Sequence, residues 1–322
     1  MSGRALAILI AAVLATAGLL GAALQLVGRE RRTISVGGLR RSYVLHIPAD
    51  LSGSKPASLV LVFHGGGGTG RQIAAHTGFS RLADREGFIV AYPDAVRRSW
   101  NDGREDMRQE AVRTDVDDVA FVSALIDAVA REHPIDPNRI YATGISNGAC
   151  FANYLAAKLS RRIAAIAPVA GSIGTAFESK FRPDEPVSVL MINGAADPLI
   201  RYEGGPVLGG SRGSVIPVER AVELWLRADG IGAEPETGSL PDRDPTDGCR
   251  ASWRLWKGGS GGTDVELVKI VGGGHTWPGA TQYLPKSMIG NLCRDFSATE
   301  MVWQFFKAHP KNGTVQEVPR LR

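Results

Sequence analysis

The stretch that most constrains this chain is a β-rich run from Arg139 to Ile145 that enters Gly144-Ile145-Ser146-Asn147-Gly148 and continues into helix formers with apolar spacing from Ala149 to Leu159. Strand, sharp turn and helix in that order force the central serine into a strained backbone conformation that pushes its hydroxyl outward. Glycines on either side leave room for strand and helix to approach each other closely. The stretch therefore reads as a nucleophile elbow with Ser146 as the candidate nucleophile. Taken alone, the pentapeptide would equally suit a structural glycine turn.

The rest of the pattern supplies the context. Thr33 to Val36 and Arg41 to Ile47 alternate polar and apolar residues around Gly37-Gly38, which predicts a hairpin. Ser58 to Phe63, Ile163 to Val169 and Val187 to Ile192 are continuous apolar runs, as expected of strands buried on both faces of a largely parallel sheet. Further strands are predicted at Phe88 to Tyr92 and, last, at Val265 to Ile270. Helical spacing appears at Arg71 to Arg85, Asp115 to Arg131, Pro217 to Ala228 and Thr299 to Lys307. In the second of these, Asp115, Asp117 and Asp118 suit the first turn, where acids oppose the helix dipole. An antiparallel start followed by alternating strands and helices gives an α/β fold, a mostly parallel central sheet with helices on both faces. One catalytic domain is expected over residues 29–309, with a tail over 310–322.

A serine hydroxyl needs a base to take its proton, and the base needs a third group to fix its tautomer. Of the six histidines, His46, His64, His76 and His133 precede the serine, against the order serine, acid, histidine of this kind of sheet. His309 lies behind the closing helix. His275 remains, just past the last strand in Gly272-Gly273-Gly274-His275-Thr276-Trp277-Pro278-Gly279. By the same reasoning Asp197, in Gly194-Ala195-Ala196-Asp197-Pro198 directly after a buried strand, is the candidate acid. Two backbone N–H groups must face the developing negative charge. Asn147 supplies one, and the loop Gly65 to Gly68 supplies the other, with Gly66 the first choice and Gly65 or Gly67 the alternatives. That loop lacks the Lys-Ser/Thr pair of a phosphate-binding P-loop.

His64-Gly65-Gly66-Gly67-Gly68, Tyr92-Pro93-Asp94 with Trp100-Asn101, Val116-Asp117-Asp118-Val119, Gly144-Ile145-Ser146-Asn147-Gly148, Asp197-Pro198 and Gly274-His275-Thr276-Trp277-Pro278-Gly279 together resemble the polyhydroxybutyrate depolymerase and feruloyl esterase branch of the α/β-hydrolases. The likeness runs from about Arg40 to Phe306. It implies an α/β-hydrolase fold and cofactor-free carboxylic-ester hydrolysis through an acyl-enzyme, with Ser146, Asp197 and His275 as triad. Ala149 stands where the family often has another glycine. Polyester, a soluble hydroxyalkanoate oligomer, a short-chain ester and a hydroxycinnamoyl (feruloyl) ester all stay open as substrates. Trp100 and Trp277 are candidate walls of the substrate pocket.

Residues 1–28 carry a nearly unbroken apolar run from Ala5 to Gly28, between Arg4 and Arg29-Glu30-Arg31-Arg32. A cleaved signal peptide with its small-x-small site at Ala15-Thr16-Ala17, or an uncleaved signal anchor, fits that pattern, so export is expected and membrane contact only through this segment. Export permits a disulfide between Cys249 and Cys293, which bracket the His275 loop. The net charge of +4 is scattered apart from the arginines near the front. No basic stripe interleaved with aromatics appears, so no nucleic acid is expected. No metal is required. Two rival readings are a serine peptidase of similar fold and a non-catalytic exported binding protein on the same scaffold.

Overall fold

A computed structural model of the protein describes residues 29–51, 55–210 and 212–311. The expected N-terminal leader or anchor, residues 1–28, and the residues beyond 311 lie outside the described residues. The chain opens with the predicted hairpin, β1 (Arg29–Val36) and β2 (Leu39–His46), and then lays down β3 (Ala57–Phe63), every residue of which is buried. Two short helices follow, α1 (Gly70–Thr77) and α2 (Phe79–Glu86), and then β4 (Ile89–Pro93). The helix expected over Arg71 to Arg85 is thus two, because Gly78 adopts φ 73° and its left-handed backbone ends the first and starts the second.

After α3 (Asp118–Glu132) the chain runs through β5 (Ile135–Ile145) into α4 (Asn147–Lys158), and on to β6 (Ala165–Val169) and β7 (Ser188–Gly194). A small ribbon, β8 (Gly205–Pro206) with β9 (Ser214–Val215), precedes α5 (Val218–Asp229). The strands β10 (Glu236–Ser239), β11 (Arg250–Trp256) and β12 (Val265–Val271) and the helix α6 (Ala298–Ala308) close the domain. The large sheet has the order β1-β2-β4-β3-β5-β6-β7-β12-β11-β10. Its middle, from β4 to β12, is parallel, and antiparallel pairs finish both edges.

Two apolar layers sandwich this sheet. On one side Phe121, Leu125, Phe151, Leu155, Val222 and Trp225 pack on Leu59, Leu61, Ala142 and Met191. On the other Ile73, Phe79, Leu82, Val302 and Phe306 pack on Val60, Val62, Tyr141 and Leu190. Alternate residues of each central strand therefore serve opposite layers, which is why these runs are apolar without interruption.

At the end of the sheet where β7 begins, Asp229 accepts a hydrogen bond from the Val187 N–H (3.1 Å) while its other oxygen has no partner. Burial pushes this carboxyl up from 3.8 to about 7, and Lys311 and Asp264 are the charges that face it. The neutral acid is thus the form the fold prefers. Between the two values unfolding releases the proton, so this group's contribution to stability falls as the pH rises through that window and is constant above it. Asp229→Asn removes that slope. Its thermal midpoint relative to wild type should be higher at pH 8 than at pH 4.5, by an amount worth at most roughly 4 kcal/mol. Parallel midpoints for the two proteins across that range would contradict it.

Candidate active site

Ser146 sits between β5 and α4 with φ 61° and ψ −123°, a region that non-glycine residues enter only under constraint. The constraint is visible in its neighbours. A Cβ on Gly144 would lie 2.6 Å from the Phe63 carbonyl oxygen, and one on Gly148 would lie 2.7 Å from that of His64. The turn is thereby clamped against the end of β3, and the Ser146 N–H is held by the Val169 carbonyl (3.1 Å). Both glycines of the motif are required by packing against backbone.

β5, β7 and β12 run parallel, so the residues that follow them emerge at one rim of the sheet. Asp197 follows β7 and His275 follows β12. His275 Nδ1 meets Asp197 Oδ2 at 2.6 Å, with both side chains almost wholly buried. The other carboxylate oxygen, Oδ1, accepts the N–H groups of Leu199 (2.8 Å) and Ile200 (2.9 Å), which fixes the carboxylate plane. The acid turn is also sewn to the histidine loop, because the Ala196 N–H donates to the Gly273 carbonyl (2.9 Å). A side chain on Gly194 would strike the Gly273 and Gly274 carbonyls. On its far side the imidazole residue is held by its own N–H to the Ile289 carbonyl (2.6 Å) and by the Tyr283 hydroxyl, which donates to the His275 carbonyl (3.0 Å). Among the described residues Ser146 Oγ makes no hydrogen bond to His275, so the structure brings acid and imidazole into contact and puts the serine on the same rim without that last link.

The glycine loop lies where an oxyanion hole would need it. A Cβ on Gly65 would be 3.3 Å from Ser146 Cβ, and one on Gly66 3.8 Å from Asn147 Cβ. Gly67 and Gly68 spend their N–H groups on the Arg98 and Gly65 carbonyls. Gly67 is therefore withdrawn as an alternative. His64 sets the base of this loop. Its Nε2 accepts from the Ala95 N–H (3.1 Å), so Nδ1 carries the proton and donates to the Gly65 carbonyl (2.8 Å). Burial pushes its pKa down to about 4, which keeps it neutral.

Trp100 and Trp277 do not line a cleft. Their exposures are 0% and 1%, and each is a core residue with its indole N–H satisfied. Trp100 donates to the His64 carbonyl (2.9 Å) and stacks on Phe151, while Trp277 donates to Thr299 Oγ1 (2.9 Å). The expectation of pocket walls is corrected: these tryptophans hold the glycine loop and the histidine loop from within. A cavity of about 560 Å³ lined by Glu178, Phe181, Arg182, Arg220 and Leu224 contains none of the residues singled out from the sequence.

The expected Cys249–Cys293 bridge is not formed. Both are buried free thiols, with ligand atoms of Asp247, Cys249 and Cys293 all within 4.8 Å of one another. The Cys249 thiol is pushed up by the hydrogen bond it shares with Cys293 and by burial. A metal is a poor fit, since both Asp247 oxygens are occupied by the N–H groups of Cys249 and Arg294 (each 2.7 Å). Burial likewise raises Cys150, one turn after the serine, to about 11 and leaves it a packing residue.

Sequence reasoning missed Asp102, Arg104 and Asn147's side chain, which form a buried cluster behind the elbow. The signal was present as Trp100-Asn101-Asp102-Gly103-Arg104, a turn-forming run with two opposite charges. The expected placement of Asp118 in the first turn of α3 holds, but its buried partners were not foreseen. In the structure Asp117 caps α3, and Asp118 points inward to Arg41 (2.5 Å) and accepts the Asn101 N–H (2.8 Å).

The family model described as Esterase PHB depolymerase matches residues 41–199, from β2 to just past the acid turn. NocK of Nocardia uniformis subsp. tsuyamanensis, itself a candidate esterase, is 31% identical over 284 residues, which take in 85% of this chain and 81% of that protein. Feruloyl esterase B of Piromyces equi is 28% identical across 73% of this chain, and the match spans 42% of that longer protein. Among solved structures, an acetyl xylan esterase from Aspergillus awamori superposes with a TM-score of 0.56 at 14% identity, covering 77% of this chain and 94% of that one. At that identity the likeness bears on the fold, which is that of an α/β-hydrolase. The extent of the match to NocK, together with the family model, makes this chain a member of the PHB depolymerase and feruloyl esterase family of carboxylic-ester hydrolases.

Proposed function

We propose that Ser146, His275 and Asp197 carry ester hydrolysis in this chain, with the N–H groups of Asn147 and Gly66 as oxyanion hole. His275 Nε2 takes the proton as Ser146 Oγ adds to the ester carbonyl, and the two amides receive the oxyanion. Collapse expels the alcohol, which leaves with that proton. Water then repeats the sequence on the acyl-enzyme and releases the acid. The observation that supports this most is the buried 2.6 Å contact between His275 Nδ1 and Asp197 Oδ2 on the rim that also bears a serine at φ 61°.

For substrate we propose a carboxylic ester with a short, hydroxyalkanoyl or hydroxycinnamoyl acyl group. The related proteins named for PHB depolymerase and feruloyl esterase activity support that range. The test is a panel of p-nitrophenyl esters, methyl ferulate and hydroxybutyrate oligomers against matched amides, alongside fluorophosphonate labelling. Turnover of esters over amides with stoichiometric labelling is expected. Amide preference would favour the peptidase, and no labelling the non-catalytic scaffold.

We further propose that the catalytic domain, residues 29–309, acts after export, as the leader-like run before it suggests. There the adjacent Cys249 and Cys293 thiols can be oxidised to a disulfide by exchange with a disulfide oxidant, closing the loop that carries His275. Such a bridge would add on the order of 4 kcal/mol by the chain-entropy account. Thiol mapping of exported protein by mass spectrometry should show the linked peptides. Two alkylated thiols there would remove the bridge.

A further inference from the structure

Behind the elbow, the Asn147 carboxamide is held on both its oxygen and its nitrogen. Its Oδ1 accepts from the Trp100 N–H (2.8 Å), and its Nδ2 donates to the Trp100 carbonyl (3.2 Å) and to Asp102 Oδ2 (2.6 Å). Asp102 in turn is wholly buried and paired with Arg104, whose Nε and Nη2 both reach Oδ2 at 2.8 Å. The Arg104 side chain is itself 3% exposed and spends a further N–H on the Arg212 carbonyl (3.2 Å). None of these side chains is used by the reaction as described above. Burying a charged pair is costly, and elsewhere on a scaffold apolar residues would fill such a space more cheaply.

The backbone N–H of the same Asn147 is the proposed oxyanion donor. An N–H that must stabilise a developing charge acts best when it needs no reorientation as the charge appears. We infer that Asp102, charge-balanced by Arg104, is a positioning residue that holds the Asn147 side chain and so fixes that residue's amide in the oxyanion hole. The pairing with Arg104 matters as well: an unbalanced carboxylate this close to the hole would oppose the oxyanion it helps to place. This inference rests on Ser146 being the nucleophile.

The test uses Asn147→Ala, Asp102→Ala and Asp102→Asn in the full chain, with rates expressed per site titrated to completion by fluorophosphonate. Asn147→Ala keeps the backbone N–H, so any loss reports its placement. Removing a donor outright costs about 10²–10³ in kcat, and loosening one should cost about thirtyfold. Asn147→Ala and Asp102→Ala should each lower kcat by about that much with KM within about twofold. The affinity of a trifluoromethyl ketone, whose serine adduct bears the oxyanion, should fall by the same factor as kcat/KM. Asp102→Asn still offers an oxygen to Asn147 and should recover part of the loss. A purely structural cluster would lower the yield or thermal midpoint and leave kcat per site and ketone affinity unchanged, which would overturn the inference. Should Asp102→Ala not fold, Asn147→Ala and Asp102→Asn give the same reading. Survival of turnover in Ser146→Ala would remove the nucleophile itself, a different failure from a silent Asn147→Ala.

Discussion

Ser146→Ala should lower kcat by about 10⁴- to 10⁶-fold, leaving the residual catalysis that binding and oxyanion contacts supply without a nucleophile. The substitution is nearly silent for the fold, because what holds this position is its backbone. The Val169 carbonyl takes its N–H, and its own carbonyl accepts from Ala149 and Cys150 (each 2.9 Å), all of which alanine keeps. Alanine also keeps the Cβ, which a side chain added at Gly65 would approach to 3.3 Å. The thermal midpoint should therefore stay close to that of wild type, or rise slightly, while fluorophosphonate labelling disappears. Turnover within tenfold of wild type in folded, unlabelled protein would show that the hydrolysis runs through another group.

The elbow was legible because its chemistry is local. Gly144 and Gly148 are dictated by carbonyls of β3, yet the sequence announces them as a spaced pair around a serine on a strand-to-helix turn. Asp197 and His275, which the structure brings into contact, were singled out by a different rule, that residues just past parallel strands share a rim, which needs only strand order along the chain. What failed were the distant contacts that no rule of strand order places. Asp118 meets Arg41 across 77 residues, and Asn147 reaches Asp102 across 45, so neither contact leaves a periodic trace. Trp100 and Trp277 stood beside motif residues and suggested exposed aromatic walls. Their indoles are instead the filler beneath those motifs, and only burial separates the two roles. The edge strand β10 and its neighbour β11 were missed because a strand with mixed burial, such as Arg250 to Trp256, lacks the apolar continuity that marked the interior strands.

The acid gives the second large effect, and its sign follows from hydrogen-bond donors and acceptors alone. Asp197 Oδ1 faces the N–H groups of Leu199 and Ile200, which can only donate, so that position must remain an oxygen. In Asp197→Asn the amide NH₂ is thereby forced into the place of Oδ2, 2.6 Å from His275 Nδ1. Two donors cannot share that contact. The imidazole must give up its Nδ1 proton and carry it on Nε2, the nitrogen that has to receive the serine proton. Shape and packing are preserved while the base is in the wrong tautomer, so kcat should fall by about 10⁴-fold with KM little changed. Fluorophosphonate labelling should slow in parallel, and the downfield proton NMR signal expected of a buried Nδ1–H held by a carboxylate should vanish. Activity of Asp197→Asn within tenfold of wild type, with that signal intact, would mean that another carboxylate orients His275 and that the turn after β7 only supports the loop.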